Sequence, residues 1–135
     1  MAAYSETPLA RKLGIKPGAV LFTITAPDDY RDWLAPLPAG VTFVSRPRAG
    51  QCDIVHIFAS SLDVLGCALS SAREAIKPDG AIWVSWHKKS AKIPTDVTEG
   101  EVRKRALATD LVDVKVCAIT EIWAGLKLVV RKHLR

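Results

Sequence analysis

Apolar positions recur along this chain in two rhythms, and the changes between them set out the elements. TPLARKLG (7–14) puts Thr7 as an N-cap, Pro8 at the first helical position and Gly14 just past the end, which predicts a short helix. After the turn residues Pro17 and Gly18, AVLFTIT (19–25) is a nearly unbroken β-rich run, the pattern of a strand buried on both faces of a parallel sheet. Beyond Pro27, Tyr30, Trp33, Leu34 and Leu37 fall at i, i+3, i+4 and i+7 and give one face of a helix. VTFVS (41–45) and DIVHIFAS (53–60) read as the second and third strands. Leu62, Leu65, Leu69, Ala72 and Ile76 return to helical spacing until Pro78, Asp79 and Gly80 stop it, and AIWVSW (81–86) reads as the fourth strand. Thr98 and Glu101 have the spacing of a capping box, with Val97 placed to staple onto Val102.

The last third changes in kind. LVDVKVCAIT (111–120) alternates, with Val112, Val114, Val116 and Ala118 on one face and Asp113, Lys115 and Cys117 on the other. WAGLKLVVRK (123–132) alternates too, so the pair predicts an antiparallel hairpin, with Asp113 and Lys115 available for cross-strand ion pairing with Lys127 or Arg131 and with Trp123 and Gly125 serving its turn and packing. Strands alternating with helices imply an α/β fold: an open, mostly parallel sheet with helices on both faces, closed by a C-terminal hairpin. One joint strains this order, because RPRAGQC (46–52) is short for a crossover between parallel strands. The strand at 41–45 is therefore either an edge strand or antiparallel.

Composition narrows the function classes. A chain of 135 residues, 49% of them apolar, is the size of one domain (1–135) and fills a core without disulfides or metal. No apolar run reaches the roughly 18 residues of a membrane span, and the start carries no apolar signal segment, so a cytoplasmic protein without membrane attachment is expected. Cys52, Cys67 and Cys117 have no zinc-ligand spacing and read as reduced, mostly buried thiols. The net charge of +5 favours anionic partners, yet 14 acidic residues are interspersed among 19 basic ones. The short basic tail VVRKHLR reads as a solvated end rather than a nucleic-acid contact.

In open parallel sheets, ligands sit beyond the carboxyl ends of the strands. Those ends carry Asp28 and Tyr30 after the first strand, Arg46 and Arg48 after the second, Ser60 and Ser61 after the third, and His87, Lys88 and Lys89 after the fourth. Together with Trp86 as an apolar wall, Lys88, Lys89, His87, Arg46, Arg48, Asp28 and Tyr30 form the candidate site for an anionic small molecule or an acidic protein partner. Each has a plainer role as well: Asp28 and Asp29 suit a helix N-terminus, Ser60 and Ser61 suit caps, and Lys88 and Lys89 end a strand in water. His56, inside an apolar strand, reads as a hydrogen-bonded core histidine.

The order of elements, with IKPDGAIWV (76–84) before a late strand and WAGLKLVVRK at the end, resembles the class I S-adenosylmethionine-dependent methyltransferase fold, a Rossmann-like architecture, here with reduced helix content. The whole chain is also similar to a bacterial family of unknown function, through residues 7–18, 53–58 (DIVHIF), 80–89 (GAIWVSWHKK) and 113–129. The methyltransferase resemblance implies a glycine-rich loop after the first strand and an acidic residue after the second to hold the cofactor. Here the first strand ends TITAPDDY and the second ends in Ser45 and Arg46. Proline cannot give the close backbone approach that glycine allows. The expectation is thus a methyltransferase-like module without cofactor or methyl transfer that binds an anionic molecule or partner, the alternative being a divergent S-adenosylmethionine-dependent methyltransferase.

Overall fold

The computed structural model describes residues 7–135; the leading segment 1–6, part of the start read above for a signal, lies outside the described residues. Six strands form one sheet in the order β2-β1-β3-β4-β6-β5. The parallel set is β1 (Val20–Ile24), β2 (Thr42–Val44), β3 (Cys52–Phe58) and β4 (Ile76–His87). β6 (Trp123–Val130) runs antiparallel to β4, and β5 (Leu111–Ala118) lies antiparallel outside it. The strand at 41–45 is both an edge strand and parallel, with Val20 opposite Thr42 and Phe22 opposite Val44. Its short link works because β2 has only three residues and the chain has little height to recover. Gly50 N–H already donates to Glu74 O, at the end of the third helix, before β3 starts. With β1 between β2 and β3, the winding reverses there, which puts the topological switch point at the carboxyl ends of β1 and β3.

The helices divide between the faces. α1 (Leu9–Lys12) and α2 (Tyr30–Leu34) pack with Leu13, Ile54, Phe58 and Trp83, whereas α3 (Leu62–Ala75) and α4 (Glu99–Leu107) cover Val55, Ile57, Ile82, Val84 and Trp86. Successive residues of β3 and β4 thus serve opposite layers, which explains their continuous apolar sequence. Of the expected caps, Ser61 Oγ accepts from Val64 N–H at 3.3 Å and Thr98 Oγ1 from Glu101 N–H at 3.2 Å. Val97 and Val102 are both buried, as the staple requires.

Several boundaries differ from the sequence pattern, each for a local reason. α1 begins at Leu9 with Pro8 as N-cap, so Thr7 caps nothing. α2 stops at Leu34 because Ala35, ahead of Pro36, is held extended; Leu37 packs on the same cluster from outside the helix. Asp29 occupies the N-cap position of α2 without a side-chain cap bond. Ile76, expected to close α3, is the first residue of β4, and Pro78 to Gly80 form an irregular stretch of that strand, where the pairing shifts between Cys52 and Ile54. There a Cβ on Gly80 would lie 2.9 Å from Asp53 O, so only glycine fits against β3. Cys67 is exposed rather than buried. The hairpin also carries a register shift between Asp113 and Lys115, which removes the simple alternation. Asp113 pairs with Arg103 of α4 at 2.9 Å, not with Lys127 or Arg131.

Candidate functional site

The end of β4 opens into a cleft of about 850 Å³ on the α3/α4 face. Trp86, 7% exposed, is the last core residue of the strand and lines it together with Val97, Val116 and Ala124. The chain then turns: Lys88 N–H donates to Ile122 O at 2.9 Å, and a 3-10 turn, Lys89–Ala91, follows. Lys92 takes the left-handed conformation, φ 55°, uncommon for a residue with a Cβ. The rest of this loop is tied to α3 and its approach, since Thr95 Oγ1 donates to Ser60 O at 2.8 Å and Leu62 N–H to Asp96 Oδ1 at 2.9 Å. Lys88, Lys89 and Lys92 are thereby held around an apolar wall. Glu99, the carboxylate in the lining, is engaged by Arg103 at 2.7 Å.

Of the predicted residues, Trp86, His87, Lys88 and Lys89 converge here, and the other four do not. His87 stacks on Trp123 with centroids 3.9 Å apart, and its Nδ1 is buried without a hydrogen-bond partner among the described residues. Burial lowers its pKa below the usual 6.5, so the ring is neutral at pH 7 and the expected trio of cations reduces to two. Arg46 is exposed past β2, and Arg48, whose N–H donates to Gln51 Oε1 at 2.8 Å, lies on the segment returning towards the amino end of β3. Asp28 is exposed in the turn before α2. Tyr30 is 2% exposed, and its hydroxyl meets His56 Nδ1 at 2.7 Å.

His56 in turn meets Ser85 Oγ at 2.8 Å, completing a Tyr30–His56–Ser85 chain that resembles a nucleophile with its base. All three residues are buried, so no substrate reaches Ser85, and the chain is a satisfied polar element of the core. Lys92 and its loop are the part of the cleft with no signal in the sequence. KSAKIPT (89–95) reads simply as polar loop, and only the fold brings it over Trp86.

Three solved structures give the fold its place. A candidate type 11 methyltransferase from Sulfolobus solfataricus shares 17% identity over 92% of this chain and 90% of its own, with a TM-score of 0.66. An S-adenosylmethionine-dependent methyltransferase from Aquifex aeolicus shares 12% over 90% and 88%, TM-score 0.63. Magnesium protoporphyrin IX methyltransferase from Synechocystis PCC 6803, solved with bound S-adenosylmethionine, shares 14% over 90% and 74%, TM-score 0.60. The fold is that of the class I methyltransferases. No family model matches the chain, and no curated protein matches it either.

The methyltransferase fold implies S-adenosylmethionine, and the switch point is where its fit is tested. Thr25 follows β1 in the left-handed conformation, φ 56°, a genuine outlier for a β-branched residue. Its hydroxyl bonds to Phe58 O at the end of β3, with Ile24 O at 2.7 Å. β1 and β3 are thus clasped together where the resemblance calls for an open glycine loop. Pro27 follows, and Ser45 and Arg46 stand where a ribose-binding acid would. These residues do not fit the cofactor. Among the described residues, no group of three His, Cys, Asp or Glu is placed to hold a metal, and no helix is long and apolar enough to cross a membrane.

Proposed function

We propose that this is a cytoplasmic binding module built on a methyltransferase fold, with no methyl transfer of its own, and that its ligand is an anionic small molecule seated in the cleft at the end of β4. The observation that carries the reading is the convergence of Lys88, Lys89 and Lys92 around a wall made by Trp86, Val97 and Val116. Such a lining suits a molecule with an apolar body and an acidic head. Burial of the body drives association, and the ammonium groups orient the head. The Thr25 clasp argues in the same direction, by closing the ordinary cofactor position.

Anilinonaphthalene sulfonate, an apolar anion whose fluorescence rises on burial, is a suitable probe. It is expected to bind saturably, and Lys88→Glu with Lys89→Glu to weaken it at least tenfold without lowering Tm. Unchanged binding by the double variant would remove the site. A divergent methyltransferase is the second reading, favoured by the coverage of a relative solved with S-adenosylmethionine. It requires the donor to bind in spite of the clasp.

A further inference from the structure

The opposite edge of the sheet gathers a second set of cations. Lys127 on β6 stands directly across from Lys115 on β5, and from Trp83 on β4. Residues so paired share a face, and like charges there repel. The carboxylate that would neutralise them is elsewhere, because the shifted register gives Asp113 to Arg103. Arg131 spends its guanidinium on Leu107 O and Leu111 O. Lys12 approaches the same face, its Nζ 3.5 Å from Ala118 O. Burial raises the pKa of the Cys117 thiol beside it, and the nearby charges of Lys12 and Lys115 act to lower it. Among the described residues, the partly buried Lys127 ammonium makes no hydrogen bond or ion pair.

Lys127 also lines a cleft of about 550 Å³ formed by the α1–β1 turn and the amino ends of β3 and β4. Lys16 and Lys77 line it as well, with Gly14, Gly18 and Gly80. Gly14 and Gly18 have φ of 80° and 78°, and a Cβ on Gly14 would lie 4.0 Å from Lys127 Nζ. The ammonium therefore lies beside the Gly14 turn. Asp53 is fully engaged, accepting from Val20 N–H at 2.8 Å and from Lys77 Nζ at 2.9 Å, which fixes Lys77 at the wall. Asp79, the other carboxylate in the lining, lies on the Lys77 side.

We propose that this amino-edge cleft binds the phosphate group of a small phosphorylated molecule. The cationic side chains of the lining are all lysines. Arginine forks suit planar carboxylates, whereas converging ammonium point charges suit a multivalent tetrahedral anion. Glycine at the turn lets such an anion approach the backbone. The bound phosphate would also supply the counter-charge that Lys127 lacks. None of these residues belongs to the carboxyl-edge cleft, so this inference and the proposed function stand separately.

The test titrates inorganic pyrophosphate into the full chain, followed by calorimetry and by amide shifts in NMR spectra. Saturable binding is expected, with the shifts centred on Gly14, Gly18 and Gly80. Lys127→Met, which keeps the aliphatic stem, is expected to weaken binding at least tenfold while Tm stays level or rises, because the repulsion with Lys115 is relieved. Lys16→Gln, at an exposed position, supplies the same readout should Lys127→Met fail to fold. Lys88→Glu with Lys89→Glu is expected to leave pyrophosphate binding intact. Absence of saturation at concentrations on the order of 10 mM, shifts centred instead on Lys88 and Lys89, or unchanged affinity in the Lys127 and Lys16 variants would overturn the proposal.

Discussion

Lowering the pH from 7.5 to 4.5 is expected to cost the folded protein about 3 kcal/mol of stability, and His56→Gln to remove most of that loss. His56 is wholly buried between the Tyr30 and Ser85 hydroxyls, and burial pushes its pKa from 6.5 down to about 3. A group whose pKa is depressed by folding takes up its proton first in the unfolded chain. The stabilisation held by the neutral ring is therefore intact above pH 6.5, declines as pH falls below it, and is exhausted near pH 3.

Other groups titrate in or near that window with smaller effect between pH 7.5 and 4.5. His87 is also depressed by desolvation, but it is only partly buried. Asp53, Asp110 and Asp113, each held below the ordinary carboxylate value of 3.8 by a basic partner, begin to lose their contribution only near that value. Glutamine at position 56 keeps a donor and an acceptor for the two hydroxyls without a proton to gain. Urea unfolding at the two pH values, for both proteins, measures the difference. An equal pH dependence in the variant would mean that His56 does not carry the loss.

The second large effect is expected at Trp83. Its ring is fully buried, and Nε1–H donates to Leu13 O at 3.1 Å, so one side chain docks the end of α1 on the middle of the sheet. α1 has only four residues and cannot persist without that docking. Trp83→Ala is expected to lower unfolding stability by about 3–5 kcal/mol through the cavity it leaves. Trp83→Phe is expected to cost about 1–3 kcal/mol, since the ring contact is largely kept but Leu13 O is stranded. Denaturant unfolding measures both, and hydrogen exchange at Leu13 and Ile15 should accelerate more in the alanine variant. A phenylalanine variant as stable as the parent would show that the indole bond contributes nothing.

These two sites show what the sequence conveyed and what it did not. The continuous apolar runs of β1, β3 and β4 were legible as parallel strands because residues buried on both faces need no alternation. His56 was legible as a core histidine from its apolar neighbours. Its partners were not, since Tyr30 and Ser85 lie 26 and 29 residues away and meet only through the sheet register. For the same reason Tyr30 reads as a strand-edge residue, where its backbone is, while its ring points into the core. In sequence Arg46 and Arg48 group with Lys88 and Lys89 because all follow strands, but β2 and β4 are separated by two strands. The hairpin bulge, too, has no mark in an alternating sequence, and it decides which side chains face Lys127. A left-handed threonine at position 25 has no sequence signature at all, yet its hydroxyl joins the ends of β1 and β3 beside the switch point.

Whether this contact shuts out the cofactor is decided by calorimetric titration with S-adenosylmethionine and S-adenosylhomocysteine, with thermal unfolding alongside. Neither compound is expected to give saturable heat or to raise Tm, while anilinonaphthalene sulfonate still binds at Lys88 and Lys89. Binding of either compound, accompanied at about a hundred times its Kd by roughly 2.7 kcal/mol of added stability, would show that the position is open. The Thr25 clasp would then be an opening loop, and the protein a methyltransferase in search of its acceptor.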